Sequence, residues 1–162
     1  MRILFLCLGN ICRSPTAEGV MRRRLREAGL ATDVDVESAG TGGWHVGHPP
    51  DPRAAAAAAA RGIALESLAQ RLERSHFDEF DLIVAMDRDN VADAQAVAPD
   101  AEAASKLRLL REYDPLAVAS GELDVPDPYY GGEDGFERVL DMIERGCEGL
   151  IAEIRGARAA GA

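Results

Sequence analysis

Residues 2–8 read RILFLCL, apolar at every position after the first, and from Pro15 onward the chain reads as helix. The junction between them, CLGNICRS at 7–14, constrains the fold more than any other stretch. A run that is apolar at consecutive positions has no polar face to offer to water, so it predicts a strand covered on both sides, as in a parallel sheet. Pro15 fits the first turn of the helix that follows, where a missing N–H costs nothing. That helix is expected to run to about Ala28, with Gly29 as its C-terminal cap.

The same alternation repeats along the chain. Residues 34–39 (VDVESA) predict a second strand, followed by a Gly- and Pro-rich loop, GTGGWHVGHPP. Asp51 and Pro52 mark a helix start, and the alanine run Ala54–Ala60 continues it, alanine having the best helix propensity. Ser75 is placed to cap a short turn that includes His76. Residues 81–87 predict a third strand, Arg88 to Ala98 a helix, and 106–112 a fourth strand. A loop from Tyr113 to Gly132 then leads into a last helix over about 134–156, where Phe136, Val139, Leu140, Ile143, Leu150, Ile151 and Ile154 recur at helical spacing. The order βαβαβαβα implies an α/β fold of three layers, α/β/α, around a parallel sheet. No repeat or linker interrupts it, so 162 residues are expected to form a single domain, 1–162. In such sheets ligands bind beyond the carboxyl ends of the strands, and Cys7 stands at one of those ends.

Composition removes several classes of function. A formal net charge of −10 argues against a nucleic-acid binder, which needs clustered cations. The basic run Arg22–Arg24 reads as a solvated helix face with Glu18 and Glu27 nearby. No stretch approaches the roughly 18 apolar residues of a membrane span. The first strand is too short, and lacks the small-residue site, to be a signal peptide. Three cysteines, an odd number, show no paired framework and suggest a reducing, cytoplasmic setting.

The loop itself suggests anion chemistry. A helix start presents backbone N–H groups without internal partners, and the helix dipole adds positive potential there. The pattern is neither the lysine-bearing nucleotide loop nor the dinucleotide fingerprint. It is C-x5-R-S: Cys7, five residues, Arg13, Ser14. Arginine presents a planar fork that matches phosphate oxygens. A cysteine at the base of the same cup has its thiolate stabilised by those donors, and a thiolate is both a nucleophile and a fair leaving group. Gly9 permits a sharp turn, and Asn10 tolerates left-handed backbone. A lone cysteine at a strand end would read as core; the register of Arg13 and Ser14 favours catalysis.

The stretch CLGNICRSP resembles the signature loop of the low-molecular-weight protein tyrosine phosphatases, bacterial type. The later DPYY at 127–130 is similar to their general-acid loop, and SAGTGGWHVG and MDRDN are similar to further stretches of the family, in the same order and over nearly the whole chain. The resemblance implies a four-stranded sheet of order 2-1-3-4. It implies a phosphatase acting on phosphotyrosine through a phosphocysteine intermediate, without cofactor or metal, with phosphotyrosine proteins as partners and inorganic phosphate as product. Cys7 would be the nucleophile, Arg13 the phosphate-binding group and Asp127 the general acid and base. Ser14 would donate to the thiolate, and Asn10 would hold the loop from a strained backbone position. A phenol leaves poorly unless protonated, which is why such a reaction needs the acid. Trp44, Tyr129 and Tyr130 would wall the slot for the ring. Leu8 and Ile11 would line its sides, with Gly9 and Cys12 completing the loop.

Two readings stand for Cys12: a partner for a reversible disulfide with Cys7, as in many family members, or a small packing residue. Tyr129 and Tyr130 are also candidates for regulatory phosphorylation. Cys147 reads as core, Asp87 as a helix cap, Arg53 as scaffold, and His45 and His48 as incidental loop residues. Relatives that prefer phosphoarginine resemble this loop but carry a smaller residue, typically threonine, at the position of Ile11, and lack the paired tyrosines. An arsenate reductase on the same fold would need relay cysteines, and none lies between Cys12 and Cys147. Bacterial relatives often read ARQL where residues 69–72 are AQRL, and some carry a histidine near the position of Ser67. That difference leaves the support of Asn10 open.

Overall fold

The computed structural model describes residues 1–161, apart from the Glu133 side chain. In chain order the elements are β1 (Arg2–Cys7), α1 (Arg13–Glu27), β2 (Asp35–Gly40), α2 (Pro52–Ala60), α3 (His76–Glu79), β3 (Leu82–Ala85), α4 (Arg88–Val97), α5 (Ala101–Ala104) and β4 (Leu107–Leu109). A 3-10 turn (Leu110–Tyr113), α6 (Pro115–Ser120) and α7 (Glu133–Gly161) complete it. The four strands pair in the order β2-β1-β3-β4, all parallel.

Side chains alternate across a strand, so β1 feeds two cores. Ile3, Phe5 and Cys7 enter one with Val20, Met21 and Leu25 of α1 and Leu140, Ile143 and Leu150 of α7. Leu4 and Leu6 enter the other with Phe77, Phe80 and Ala94. Residues Ile3 through Leu6 are fully buried, which is why the run carries no polar position. Cys7, the last strand residue, faces the α1 side and so lies beneath the loop that leads into that helix.

Local capping follows the residues expected. Asp51 Oδ1 accepts from Arg53 N at 2.8 Å at the start of α2. Asp87 opens α4 with a capping box: its Oδ1 accepts from Asn90 N at 2.7 Å, and Asn90 Oδ1 accepts from Asp87 N at 3.1 Å. Gly29 takes the left-handed conformation after α1. Ser75 precedes α3 but makes no capping hydrogen bond with its side chain.

The fourth strand is shorter than the 106–112 expected. It pairs only through Leu107–Leu109, at the sheet edge, and the chain then coils into the 3-10 turn. Leu110, fully buried, presses on α7 where Gly146 leaves room; a Cβ there would stand 2.6 Å from Leu110 Cγ. Helices α5 and α6 occupy segments read as connecting loop, and α7 extends past 156 to Gly161. Among the described residues no helix is long and apolar enough to cross a membrane.

Candidate active site

The loop 8–12 curls over the end of β1. Asn10 holds it, and is the one non-glycine residue with positive φ among those described, at 56°. The left-handed region costs a residue other than glycine roughly 1 kcal/mol, so something must hold it there. Four contacts do. Asn10 Nδ2 donates to Ser14 Oγ at 2.7 Å and to Ser38 Oγ at 3.0 Å, and Oδ1 accepts from Gln70 N at 2.9 Å. Asn10 N points at Cys7 Sγ at 3.3 Å. Ser38 Oγ in turn donates to Glu18 Oε2 at 2.6 Å, and Glu18 also pairs with Arg22 at 2.9 Å. The support left open by the sequence thus comes from Ser38 and the Gln70 backbone rather than from Ser67.

This network directs a proton. Ser14 Oγ lies 3.0 Å from Cys7 Sγ and 3.4 Å from the Ala39 carbonyl, and it already accepts from Asn10. A hydroxyl has one hydrogen, and the nearer acceptor for it is the Cys7 sulfur. Cys7 is 2% exposed, so its sulfur meets little but these donors and the space above it.

Arg13 forms the far wall. Its Nη1 donates to Asp87 Oδ2 at 2.5 Å and to the Val125 carbonyl at 2.9 Å, while Nη2 stands 3.7 Å from Asp127 Oδ2. Burial works against its charge, but Cys7, Asp87 and Asp127 outweigh burial and raise its pKa further. Asp127 comes from the DPYY segment, over a hundred residues along the chain, and accepts from Tyr129 N at 3.0 Å.

Cys7, Leu8, Gly9, Ile11, Cys12, Arg13, Trp44, Asp127, Tyr129 and Tyr130, all anticipated from the sequence, line a single pocket of about 290 Å³. Asn10 and Ser14 do not line it; they lie behind the loop and brace it. His45, read from sequence as incidental, does line it, and its ring packs so close to Gly9 that a Cβ there would meet His45 Cδ2 at 3.0 Å. Tyr129 and Tyr130 meet edge to face at 4.9 Å, and the Arg53 guanidinium lies 5.4 Å from the Tyr129 ring. Arg53 is itself held by Asp51 at 3.0 Å.

Cys12 is a buried free thiol, and burial, with Asp51 adding to it, pushes its pKa up to about 12. Cys147 is fully buried against α1. Asp87 was legible as a cap but not as the partner of Arg13. Nothing in MDRDN marks a carboxylate whose second oxygen reaches another strand's loop.

The chain is similar to known proteins over nearly its whole length. The family described as low molecular weight phosphotyrosine protein phosphatase matches over residues 2–160. The low molecular weight protein-tyrosine-phosphatase of Streptomyces coelicolor is 51% identical over 154 residues, covering 95% of this chain and 93% of its own. A protein tyrosine phosphatase from Entamoeba histolytica, solved with Hepes in its active site, superposes with a TM-score of 0.92 at 37% identity, over 98% of this chain and 99% of its own. An arginine phosphatase from Drosophila superposes with a TM-score of 0.87 at 29% identity, over 95% and 98%.

Proposed function

The chain belongs to the low molecular weight phosphotyrosine protein phosphatase family, and from that premise we propose that it hydrolyses phosphotyrosine in proteins through a phosphocysteine intermediate. The observation that carries this reading is the meeting of Cys7, Arg13 and Asp127 around one pocket, with Asp127 3.7 Å from the guanidinium that closes the loop.

The phosphate dianion seats against the loop N–H groups and Arg13, with phosphorus above Cys7 Sγ. The thiolate attacks in line; an S–P bond forms and the P–O bond to the aryl group breaks. Asp127, protonated, delivers its proton to the leaving phenolate oxygen. Asp127, now a carboxylate, takes a proton from water, whose oxygen attacks phosphorus and breaks the S–P bond. Inorganic phosphate leaves and the thiolate is restored. Ser14 and Asn10 N stabilise the sulfur each time it carries charge, which favours its departure in the second step. Arg13, held by Asp87 and Val125, is preorganised for the equatorial oxygens.

The walls favour an aryl ester. Trp44, Tyr129 and Tyr130 line the pocket together with Leu8 and Ile11. A phosphoserine is too short to reach the base of such a slot. Arsenate reduction lacks a relay: Cys147, the third thiol, is fully buried. The phosphatase domain spans 1–162, of which Ala162 lies outside the described residues. A reducing cytoplasm suits a chain whose cysteines are all free thiols.

A panel of phosphotyrosine, phosphoserine and phosphoarginine peptides with arsenate, assayed for the wild type and Cys7→Ser, tests the reading. Phosphotyrosine should be preferred by at least about a hundredfold, with no measurable turnover by the variant. Preference for phosphoarginine, or turnover by Cys7→Ser at the wild-type rate, would overturn it.

A further inference from the structure

Beyond Trp44 lies a second cleft that the reaction does not use. It is lined by Leu8, Thr41, Gly43, Trp44, Arg71 and Asp93, among others, and it shares Leu8 and Trp44 with the catalytic pocket. The indole is the partition between them. It folds back over Gly42, where a Cβ would overlap the ring, and 72% of its surface is exposed.

The pair Gln70-Arg71, singled out in the sequence as a transposition, divides its work between these spaces. Gln70 turns inward: its N donates to Asn10 Oδ1 at 2.9 Å, and its Nε2 donates to the Ser38 carbonyl at 2.9 Å. Arg71 turns outward. Its backbone bridges to Gly40, and its side chain runs past Gly43, where a Cβ would meet Arg71 Cδ at 3.2 Å and Nη1 at 3.5 Å. Gly43 therefore leaves the track along which this side chain reaches the cleft. Arg71 is exposed and forms no ion pair among the described residues. Asp93, the other charged group lining the cleft, has its carboxylate near the Thr41 hydroxyl, which donates to it at 3.4 Å, and it does not neutralise Arg71.

Resting on the phosphatase reading, we propose that Arg71 is a specificity-determining residue: it receives a carboxylate side chain that flanks the phosphotyrosine in the substrate polypeptide. A peptide whose phosphotyrosine fills the catalytic pocket and whose chain leaves over Trp44 meets the second cleft next. The two spaces share Leu8 and Trp44, so residues flanking the phosphotyrosine are the ones that enter the second cleft. The guanidinium offers planar donors that match a carboxylate there, in a protein whose formal net charge of −10 otherwise repels acidic segments. The cation thus selects among substrates without touching the reacting atoms.

The test uses the full chain, p-nitrophenyl phosphate, and phosphotyrosine peptides carrying Glu, Gln or Lys at each position from three before to three after the phosphotyrosine. The wild type should favour Glu over Gln at one or more of these positions by about three- to tenfold in kcat/KM, an advantage that shrinks with added salt. Arg71→Gln should abolish that advantage, Arg71→Glu should shift it to Lys, and Arg71→Lys should keep part of it. All variants should turn over p-nitrophenyl phosphate as the wild type does, which shows them folded. Equal turnover of Glu and Gln peptides by the wild type, or an acidic preference that survives in Arg71→Gln, would overturn the proposal. Loss of wild-type turnover on every phosphotyrosine substrate would instead count against the phosphatase reading itself.

Discussion

Asp87 shows how one side chain can serve two elements at once. One oxygen caps α4 and the other receives Arg13 at 2.5 Å. Asp87→Asn separates the two duties, because asparagine caps a helix as well as aspartate does but brings no charge to the guanidinium. We expect the variant to keep its thermal midpoint while kcat/KM on p-nitrophenyl phosphate falls by about tenfold, the order of one charge-assisted hydrogen bond. Unchanged kinetics would show that Arg13 is positioned by the Val125 carbonyl and the loop alone. At this scale the sequence was most legible where function is local. Cys7, Arg13 and Ser14 lie within eight residues, so their register could be read directly. His45 and Asp87 were passed over because their partners come from elsewhere in the chain, and each already had a sufficient local explanation.

At the scale of elements, the buried strands were legible from unbroken apolar runs and the helices from caps and spacing. The end of the fourth strand was not. LRLLRE suits a strand or a helical turn equally, and the choice is made by α7, which the local pattern cannot see. There Gly146 and Gly149 let the 3-10 turn settle against the helix, and a Cβ at Gly149 would overlap the Tyr113 carbonyl. Gly149→Ala should therefore destabilise the fold by about 1–3 kcal/mol through overpacking, despite alanine's better helix propensity. Urea titration measures this; a gain in stability would mean that the turn moves aside without cost. The variant's kcat on p-nitrophenyl phosphate should stay near wild type, since neither Gly149 nor Tyr113 lines the catalytic pocket.

For the whole molecule, the order of strands and helices carried the three-layer fold, because parallel strands need covering helices and right-handed crossovers. What spacing could not supply was the approach of residue 127 to residue 7, which arises only when the segment after α6 folds back across the sheet's carboxyl edge. Stability against pH is likewise a property of the assembled core. Burial raises Cys12 from 9.0 to about 12 and Tyr113 from 10.0 to about 12, and it raises the Cys147 thiol too. These groups keep their protons in the folded state after the unfolded chain has begun to lose them. Their contribution is therefore complete below about pH 9 and is lost as pH climbs toward 12. Thermal midpoints should fall over that window, and less steeply in Cys12→Ser; a flat profile to pH 12 would contradict the burial of these groups.

The central claim is that the phosphoryl group passes through the Cys7 sulfur. Rapid denaturing quench of Asp127→Ala mixed with p-nitrophenyl phosphate, whose leaving group needs no proton, followed by peptide mass mapping, tests it most directly. Slow hydrolysis of the intermediate without its base should leave a phosphoryl group on the peptide containing Cys7, and none should form in Cys7→Ser. Product release with no phosphorylated cysteine at any quench time, or phosphoryl transfer that persists without the sulfur, would contradict the account.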